Sequence, residues 1–221
     1  MPSKNTLKTY IEDSYYHLFN RGVEKRSIFL DQQDYDTFLS YLREYLQPRD
    51  YKTIDRKLSA PDLKWRDRAK ILNTLRISNF NDEISLLAYA LMPNHFHLLI
   101  RQKNAVSIDR FMRSLCTRYV LYFNGKYQRV GPLFQGVYKA VLVENETQFL
   151  HLSRYIHAQA LAIAEPDTKF AQPSSYPEYI GQRKTTWVHP GEVLSFFSNS
   201  FPALSYTQFV SDYRNIDSED L

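Results

Sequence analysis

Residues 91–100 read LMPNHFHLLI, an apolar run that contains two histidines. Side chains alternate between the two faces of a β-strand, so His95 and His97 are predicted to share one face while Phe96 points to the other. Pro93 cannot donate within a sheet and marks where this strand begins or bulges. Two imidazoles on one face can bind a divalent metal ion when a third ligand comes from another element. A pair of structural histidines is the alternative, because His-x-His alone is a weak motif.

The other elements are predicted from hydrophobic periodicity. Alternation predicts strands over residues 15–20, 84–91, 95–101 and 137–143, and three- to four-residue spacing predicts helices over about 32–47, 108–124 and 148–164. Ser107 is expected to cap the second of these helices and Gly125 to end it. Segment 48–80 is rich in Lys, Arg and Asp and predicts an insertion with one or two short helices. Short helices over 187–197 and 204–213 are expected to pack back onto the core.

The bulk composition limits the class of protein. At 221 residues the chain can bury a large core as one elaborated domain. Its net charge of +4 suits a polyanionic partner without requiring one. The single Cys116 excludes an intramolecular disulfide and fits a reducing compartment. We recognise no leader peptide and no apolar run of the roughly 18 residues that a membrane helix needs, so we expect a cytoplasmic protein with no membrane partner.

The decapeptide resembles the signature strand of the HUH single-tyrosine transposases. The likeness is greatest to the REP-associated tyrosine transposases, in which Met-Pro-Asn-His-x-His-Leu-Leu is typical, and residues 154–159 (RYIHAQ) stand where that family carries its tyrosine motif. The resemblance covers most of residues 10–185. It implies an α+β fold with a ferredoxin-like antiparallel sheet and helices packed on one face. We therefore expect a catalytic domain over residues 1–185, including the insertion, and a C-terminal extension over 186–221 that packs on it.

The resemblance also implies a set of catalytic residues. Tyr155 would be the nucleophile, and His95, His97 and Gln159 would hold Mg²⁺ or Mn²⁺, with no other cofactor. Helical geometry alone places Tyr155 and Gln159, four residues apart, on one side of their helix. Their meeting with the two histidines rests on the resemblance. Many relatives carry Asn-Pro near this position, whereas this chain has Gln159-Ala160, which leaves the substrate group open.

Single-stranded or hairpin DNA is the partner that the resemblance implies, with the chain acting as a monomer or a homodimer and associating with the nucleoid. Charge can hold the phosphate backbone while aromatic rings stack on unpaired bases. The residues expected to contact DNA are Arg21, Arg110, Arg113, Arg118, Lys126, Arg129, Phe134 and Lys139. The alternatives are a solvated charged surface for the cations and a hydrophobic plug for the loop that contains Phe134.

Three functions remain open at this point. The first is a metal-dependent single-strand DNA endonuclease and strand transferase that forms a 5′-phosphotyrosine intermediate. The second is a domesticated DNA-binding module that keeps the fold without cleaving. The third is a metal phosphodiesterase that uses activated water, and it predicts that Tyr155→Phe retains cleavage.

Overall fold

The structure is a computed structural model that describes residues 10–162, 172–198, 200–201 and 204–219, with side chains of the last helix described as far as Tyr213. The elements in chain order are β1 (Ser14–Arg21), a 3-10 turn (Val23–Lys25), α1 (Gln32–Leu46), α2 (Tyr51–Leu58), α3 (Trp65–Arg76), β2 (Ile84–Met92), β3 (His95–Gln102), α4 (Ser107–Lys126), β4 (Lys139–Leu142), α5 (Glu146–Ala162), α6 (Tyr176–Tyr179), α7 (Gly191–Leu194) and α8 (Tyr206–Glu219). Residues 1–9 of the N-terminus, and residues 163–164 at the end of the third predicted helix, lie outside the described residues.

The four strands form one antiparallel sheet in the order β2-β3-β1-β4. Two β-α-β units, β1-α1-β2 and β3-α4-β4, interleave so that β1 and β3 are central. This is the ferredoxin-like arrangement, and the predicted α+β fold is confirmed. The pairing of β1 with β3 places Phe19 opposite His97 and Arg21 opposite His95.

Each face of the sheet carries its own hydrophobic core because β3 alternates strictly. Phe96, Leu98 and Ile100 join a cluster that α1 and α4 cover. This layer agrees with the prediction that helices pack on one face of the sheet. Leu99 and the small β2 residues on the other face join a second cluster, which contains residues of α5, α7 and α8. The tyrosine helix α5 therefore lies on the face opposite α1 and α4, and this second layer is an addition to the predicted architecture.

The ends of two helices differ from their predicted positions. Ser107 does not cap α4, because its hydroxyl donates to Glu83 Oε2 at 2.6 Å and the cap position falls on Val106, which makes no side-chain cap bond. The helix also continues through Gly125 to Lys126. A glycine weakens a helix without ending it when the residues after it still form helical backbone hydrogen bonds, as Tyr127 N does with Phe123 O.

The C-terminal segment packs on the sheet as well as on α5. Ser174 bridges Ala90, and Val188 bridges Leu86, so this segment covers the outer edge of β2. The Trp187 ring stacks on Tyr89 at a centroid distance of 5.6 Å. The domain boundary at residue 185 stays a prediction. In the part of the chain that the structure describes, none of the helices combines the length and apolarity needed to cross a membrane.

Leu98→Ala should lower the free energy of unfolding by about 2–5 kcal/mol, because it opens a cavity at the centre of the first core. Leu121→Ala removes the same atoms from a side chain that is 70% exposed, so it should change that free energy by no more than about 0.5 kcal/mol. Urea denaturation of both variants measures the difference. Equal losses would contradict the placement of Leu98 in the core.

Candidate active site

Three histidines meet on the face of the sheet that α5 covers. His95 and His97 come from β3, with ring centroids 4.8 Å apart. His17 comes from β1, two residues before Phe19, and its ring centroid lies 5.0 Å from that of His97. His17 Nε2 lies 2.8 Å from His97 Nδ1, a hydrogen-bonding distance. The pairing of β1 with β3 thus adds a third imidazole to the two in the motif.

The Nδ1 atom of each β3 histidine lies within hydrogen-bonding distance of a neighbouring side chain. His95 Nδ1 lies 2.6 Å from Asn94 Oδ1, and because an amide oxygen only accepts, His95 Nδ1 is the donor. His97 Nδ1 faces His17, whereas His97 Nε2 is buried and has no hydrogen-bond partner among the described residues. Buried polar atoms are nearly always paired in native proteins, so His97 Nε2 is an exception among the site nitrogens.

Burial keeps these imidazoles neutral. Loss of solvation lowers the pKa of His97 to about 2 and that of His17 to about 4. The pKa of His95 is also lowered, first by burial and then by the charge of Arg21. All three rings are therefore neutral near pH 7, which is the state in which an imidazole can bind a metal ion.

Helix α5 brings Tyr155 and Gln159 to the same place. The Tyr155 ring lies 5.5 Å from His97 and 6.4 Å from His17, measured between centroids. The Gln159 side chain hydrogen-bonds both His95 and Tyr155. Asn145 begins the helix by accepting a hydrogen bond from Gln148 N at 2.9 Å. The structure thus brings together all four residues that the sequence nominated for catalysis and metal binding.

Tyr155 is half-buried, and its surroundings act on the phenol in opposite directions. Burial raises its pKa, as does the nearby Tyr213 ring, whereas the hydrogen bond from Gln159 and the charge of Arg21 lower it. Burial is the largest of these effects, so the phenol is protonated near neutral pH.

Arg21 and Lys139 are the nominated DNA contacts that lie nearest to the three histidines. Arg21 pairs with His95 across the sheet, and its charge acts on His95, His97 and Tyr155. Lys139 begins the edge strand β4, is exposed, and has Nζ 5.6 Å from the Phe19 ring. Both residues place positive charge at the margin of the site.

The α4 cations lie on the opposite side of the sheet and are engaged with acids. Lys126 Nζ contacts Asp31 at 2.7 Å and Asp34 at 2.8 Å, and Arg118 contacts Glu44 at 2.6 Å. Two more exposed pairs join Arg113 to Asp109 at 2.6 Å and Arg110 to Glu83 at 3.4 Å. For Lys126 and Arg118 the contacts indicate a structural role within the α1–α4 layer.

The loop before β4 provides a packed aromatic and a cation with local contacts. Phe134 is buried and packs edge-on against Phe96, with 5.9 Å between centroids, so its position matches the hydrophobic plug alternative. Arg129 donates to Asn124 Oδ1 at 3.3 Å and lies over the Phe123 ring. Neither side chain is among those near Tyr155.

Sequence reasoning did not identify a buried polar network around His157. His157 Nδ1 lies 2.7 Å from the Tyr206 hydroxyl, and Nε2 lies 2.7 Å from Ser175 Oγ. Ser175 Oγ in turn accepts from Tyr89 N at 2.8 Å. The network joins α5 to β2 and α8, and it holds the helix two residues from Tyr155. Residues 174–176 (SSY), which follow α5 and include Ser175, are the sequence feature that could have indicated this network.

Part of the chain matches the model of a known protein family. Residues 63–159 match the family model described as "Transposase IS200 like". The matched segment contains the histidine pair of β3 and ends at Gln159, so it includes the four residues that meet in the site. Over this segment the chain is similar to the IS200-like transposases.

Two solved structures are similar to this chain. One is described as the REP-associated tyrosine transposase bound to a REP hairpin, with 12% identity, a TM-score of 0.49, and coverage of 85% of this chain and 92% of that chain. The other is a candidate transposase from Deinococcus radiodurans R1, with 16% identity, a TM-score of 0.37, and coverage of 70% and 97%. A search of curated proteins gives no match.

His157→Leu should lower the free energy of unfolding by about 1–3 kcal/mol, because the hydroxyls of Ser175 and Tyr206 lose a buried partner. His151→Leu is the matched control, since His151 lies exposed on the same helix and should change the value by no more than about 0.5 kcal/mol. Chemical denaturation of both variants measures the two effects. A His157→Leu protein as stable as the control would contradict the anchoring role of the network.

Proposed function

We propose that this chain is a metal-dependent single-strand DNA endonuclease and strand transferase that uses Tyr155 as its nucleophile. One observation carries the proposal: Tyr155 and Gln159 of α5 lie against His95 and His97 of β3. The family match over these residues supports DNA processing as the role. The resemblance of residues 91–100 to the REP-associated branch supports hairpin-forming DNA as the substrate.

The proposed reaction exchanges one phosphoester for another. The Tyr155 oxygen attacks the phosphorus and loses its proton, and the 3′-oxygen leaves and takes up a proton. The products are a 5′-phosphotyrosine on the protein and a free 3′-hydroxyl on the other strand. Attack by a different 3′-hydroxyl reverses the step and joins two strands. Because bond energy is conserved in the tyrosine ester, no external energy source is needed.

The residues around His97 fit a divalent metal ion. A His97 tautomer whose Nδ1 donates to His17 would leave the lone pair of the unpartnered His97 Nε2 free, and His95 has this tautomer because its Nδ1 donates to Asn94. With the Gln159 amide oxygen, two imidazoles make a donor set that suits Mn²⁺ or Mg²⁺. No group of three His, Cys, Asp or Glu suited to a metal occurs in the described part of the chain, and the proposal therefore takes the Gln159 amide as the third ligand. When bound, the ion would supply Lewis-acid stabilisation of charge on the phosphate.

The protein groups around this donor set have separate roles in the proposal. In the proposal, His17 Nε2 accepts from His97 Nδ1, which would fix both the tautomer and the orientation of the His97 ring. The Gln159 side chain holds the Tyr155 hydroxyl beside His95. Arg21 adds a positive charge that favours a phosphate at this position and an ionised phenol during attack.

Incubation of the protein with Mn²⁺ and labelled single-stranded hairpin DNA should yield a covalent adduct that survives denaturing electrophoresis. Tyr155→Phe should abolish the adduct and cleavage together, because the phenylalanine ring has no oxygen to attack phosphorus. Tyr41→Phe makes the same chemical change in α1, on the other side of the sheet, and should leave both intact.

The same experiment separates the alternatives. Cleavage retained by Tyr155→Phe without an adduct would indicate attack by activated water and would overturn the tyrosine mechanism. DNA that is bound but never cut, over the full range of metals and hairpins, would favour a binding module.

His17→Phe should lower the affinity for Mn²⁺ by about 10- to 100-fold, because His97 loses the acceptor that sets its tautomer. Isothermal titration calorimetry measures this affinity without DNA. His189→Phe, a matched change at an exposed histidine beside the β2 edge, should leave the affinity unchanged. An unaltered Mn²⁺ affinity in His17→Phe would remove His17 from the support of the site.

A further inference from the structure

The helices of the insertion form an arm that adds no buried side chain to either hydrophobic core, whereas Phe80 at its base lies in the first core. We call residues 48–80 the α2–α3 arm. Neither α2 nor α3 contains a buried residue, and Trp65 and Tyr51 are 74% and 57% exposed. The arm closes at its base, where the Arg49 guanidinium donates to the carbonyls of Thr74 and Ile77. Core packing therefore does not explain why this segment is helical and so well exposed.

The arm accounts for the net positive charge of the chain. Segment 48–80 contains nine Lys and Arg and four Asp, which gives it a net charge of +5. The full chain has a net charge of +4, so all other residues together sum to −1. The basic character of the protein is thus a local property of one projecting segment.

Most arm cations are not neutralised within the protein. In the described part of the chain, six exposed cations of the arm form no ion pair and no side-chain hydrogen bond: Lys52, Arg56, Lys57, Lys64, Arg66 and Arg76. The Arg66 guanidinium lies 5.4 Å from the centroid of the exposed Trp65 ring. The α4 cations differ, since Arg110, Arg113, Arg118 and Lys126 each contact a carboxylate. Cations without internal partners beside an exposed aromatic ring are suited to a nucleic-acid backbone.

The arm joins the sheet at the end opposite the histidine site. Phe80 N bonds Tyr45 O at the base of the arm, and Lys103, which follows β3, bonds Glu83. His95 is at the other end of β3, and a strand of this length spans about 23 Å at roughly 3.3 Å per residue. At about 3.4 Å per base pair, DNA must extend about seven base pairs from the cut to reach the arm.

We infer that the α2–α3 arm is a second DNA-binding surface, which holds the phosphate backbone of the substrate about seven or more base pairs from the phosphate that Tyr155 attacks. This inference rests on the proposed function. The exposed cations release counterions from the backbone, which gives affinity without base readout. Trp65 supplies a ring on which an unpaired base can stack. The arm thus distinguishes long substrates from short ones.

The test measures binding by fluorescence anisotropy in Tyr155→Phe protein, so that the DNA stays uncut. Three probes share the same single-stranded end. The short-stem probe continues into about 4 base pairs, the long-stem probe into about 14 base pairs, and the third probe into a single strand as long as the longer stem. One variant combines Lys57→Gln with Lys64→Gln. A second variant replaces residues 50–76 with a short Gly/Ser linker. This change keeps Arg49 and Asn79 at the base of the arm. The matched control combines Lys103→Gln with Lys184→Gln, two exposed lysines outside the arm.

The linker variant should bind the long-stem probe at least about tenfold more weakly than the parent and the short-stem probe equally well. Lys57→Gln with Lys64→Gln should lower the slope of log K against log salt by up to about 1.8 on the long stem, at about 0.9 per phosphate contact. The control pair should bind as the parent does. The melting temperature of the linker variant should match the parent, because none of the replaced residues 50–76 is buried and Phe80 is kept.

Equal affinity and equal salt slope of the linker variant and the parent on both long probes would overturn the inference, as would an equal loss on the short stem. A loss confined to the long stem, or confined to the long single strand, identifies which DNA form the arm holds. Binding is measured without cleavage, so an arm effect with no phosphotyrosine adduct would refute only the proposed reaction. An adduct formed by a protein whose arm has no effect would refute only the arm, and no DNA binding by the parent would refute both.

Discussion

The alternation of β3 is the constraint on which the rest of the structure depends. This strand is paired on both edges and covered on both faces, so each of its side chains has one fixed destination. Phe96 and Leu98 enter the apolar layer beneath α1 and α4, and a shift of one residue would place the histidines there instead. Burying unpaired imidazoles in that layer would be strongly unfavourable. Register and site are therefore specified by the same pattern.

The site face must combine packing with chemistry, and the sequence divides the two along α5. Ile156 and Ala160 fill the second core, whereas Tyr155 and Gln159 turn toward the histidines. His157 is fully buried between them and anchors the helix through polar contacts to β2 and α8. Hydrogen bonds are directional, so this network restricts helix rotation and sliding more tightly than apolar contacts alone. A nucleophile on a helix needs that restriction.

Local patterns were sufficient for most of the fold and for part of the site. Alternation around His97 located the strand, and the spacing of Tyr155 and Gln159 placed both on one side of a helix. The meeting of the two elements was supplied by resemblance, because no local rule joins residues 60 positions apart. The His17–His97 contact and the pairing of Lys126 with Asp31 depend on strand and helix packing between segments 80 and 95 residues apart. A prediction from charge alone therefore selects cations such as Lys126, whose carboxylate partners lie within the same fold.

The distribution of charge separates attraction from reaction. Arg21 is close enough to the histidines to act on their pKa, but the body of the protein outside the arm sums to −1 and supplies little long-range attraction for a polyanion. Screening limits the reach of exposed charges to about 8–10 Å at moderate salt, which is well short of the strand length between arm and site. The arm therefore cannot stabilise charge at Tyr155 directly. Any contribution of the arm to the reaction must pass through the length and stiffness of a DNA molecule that contacts both ends of the sheet.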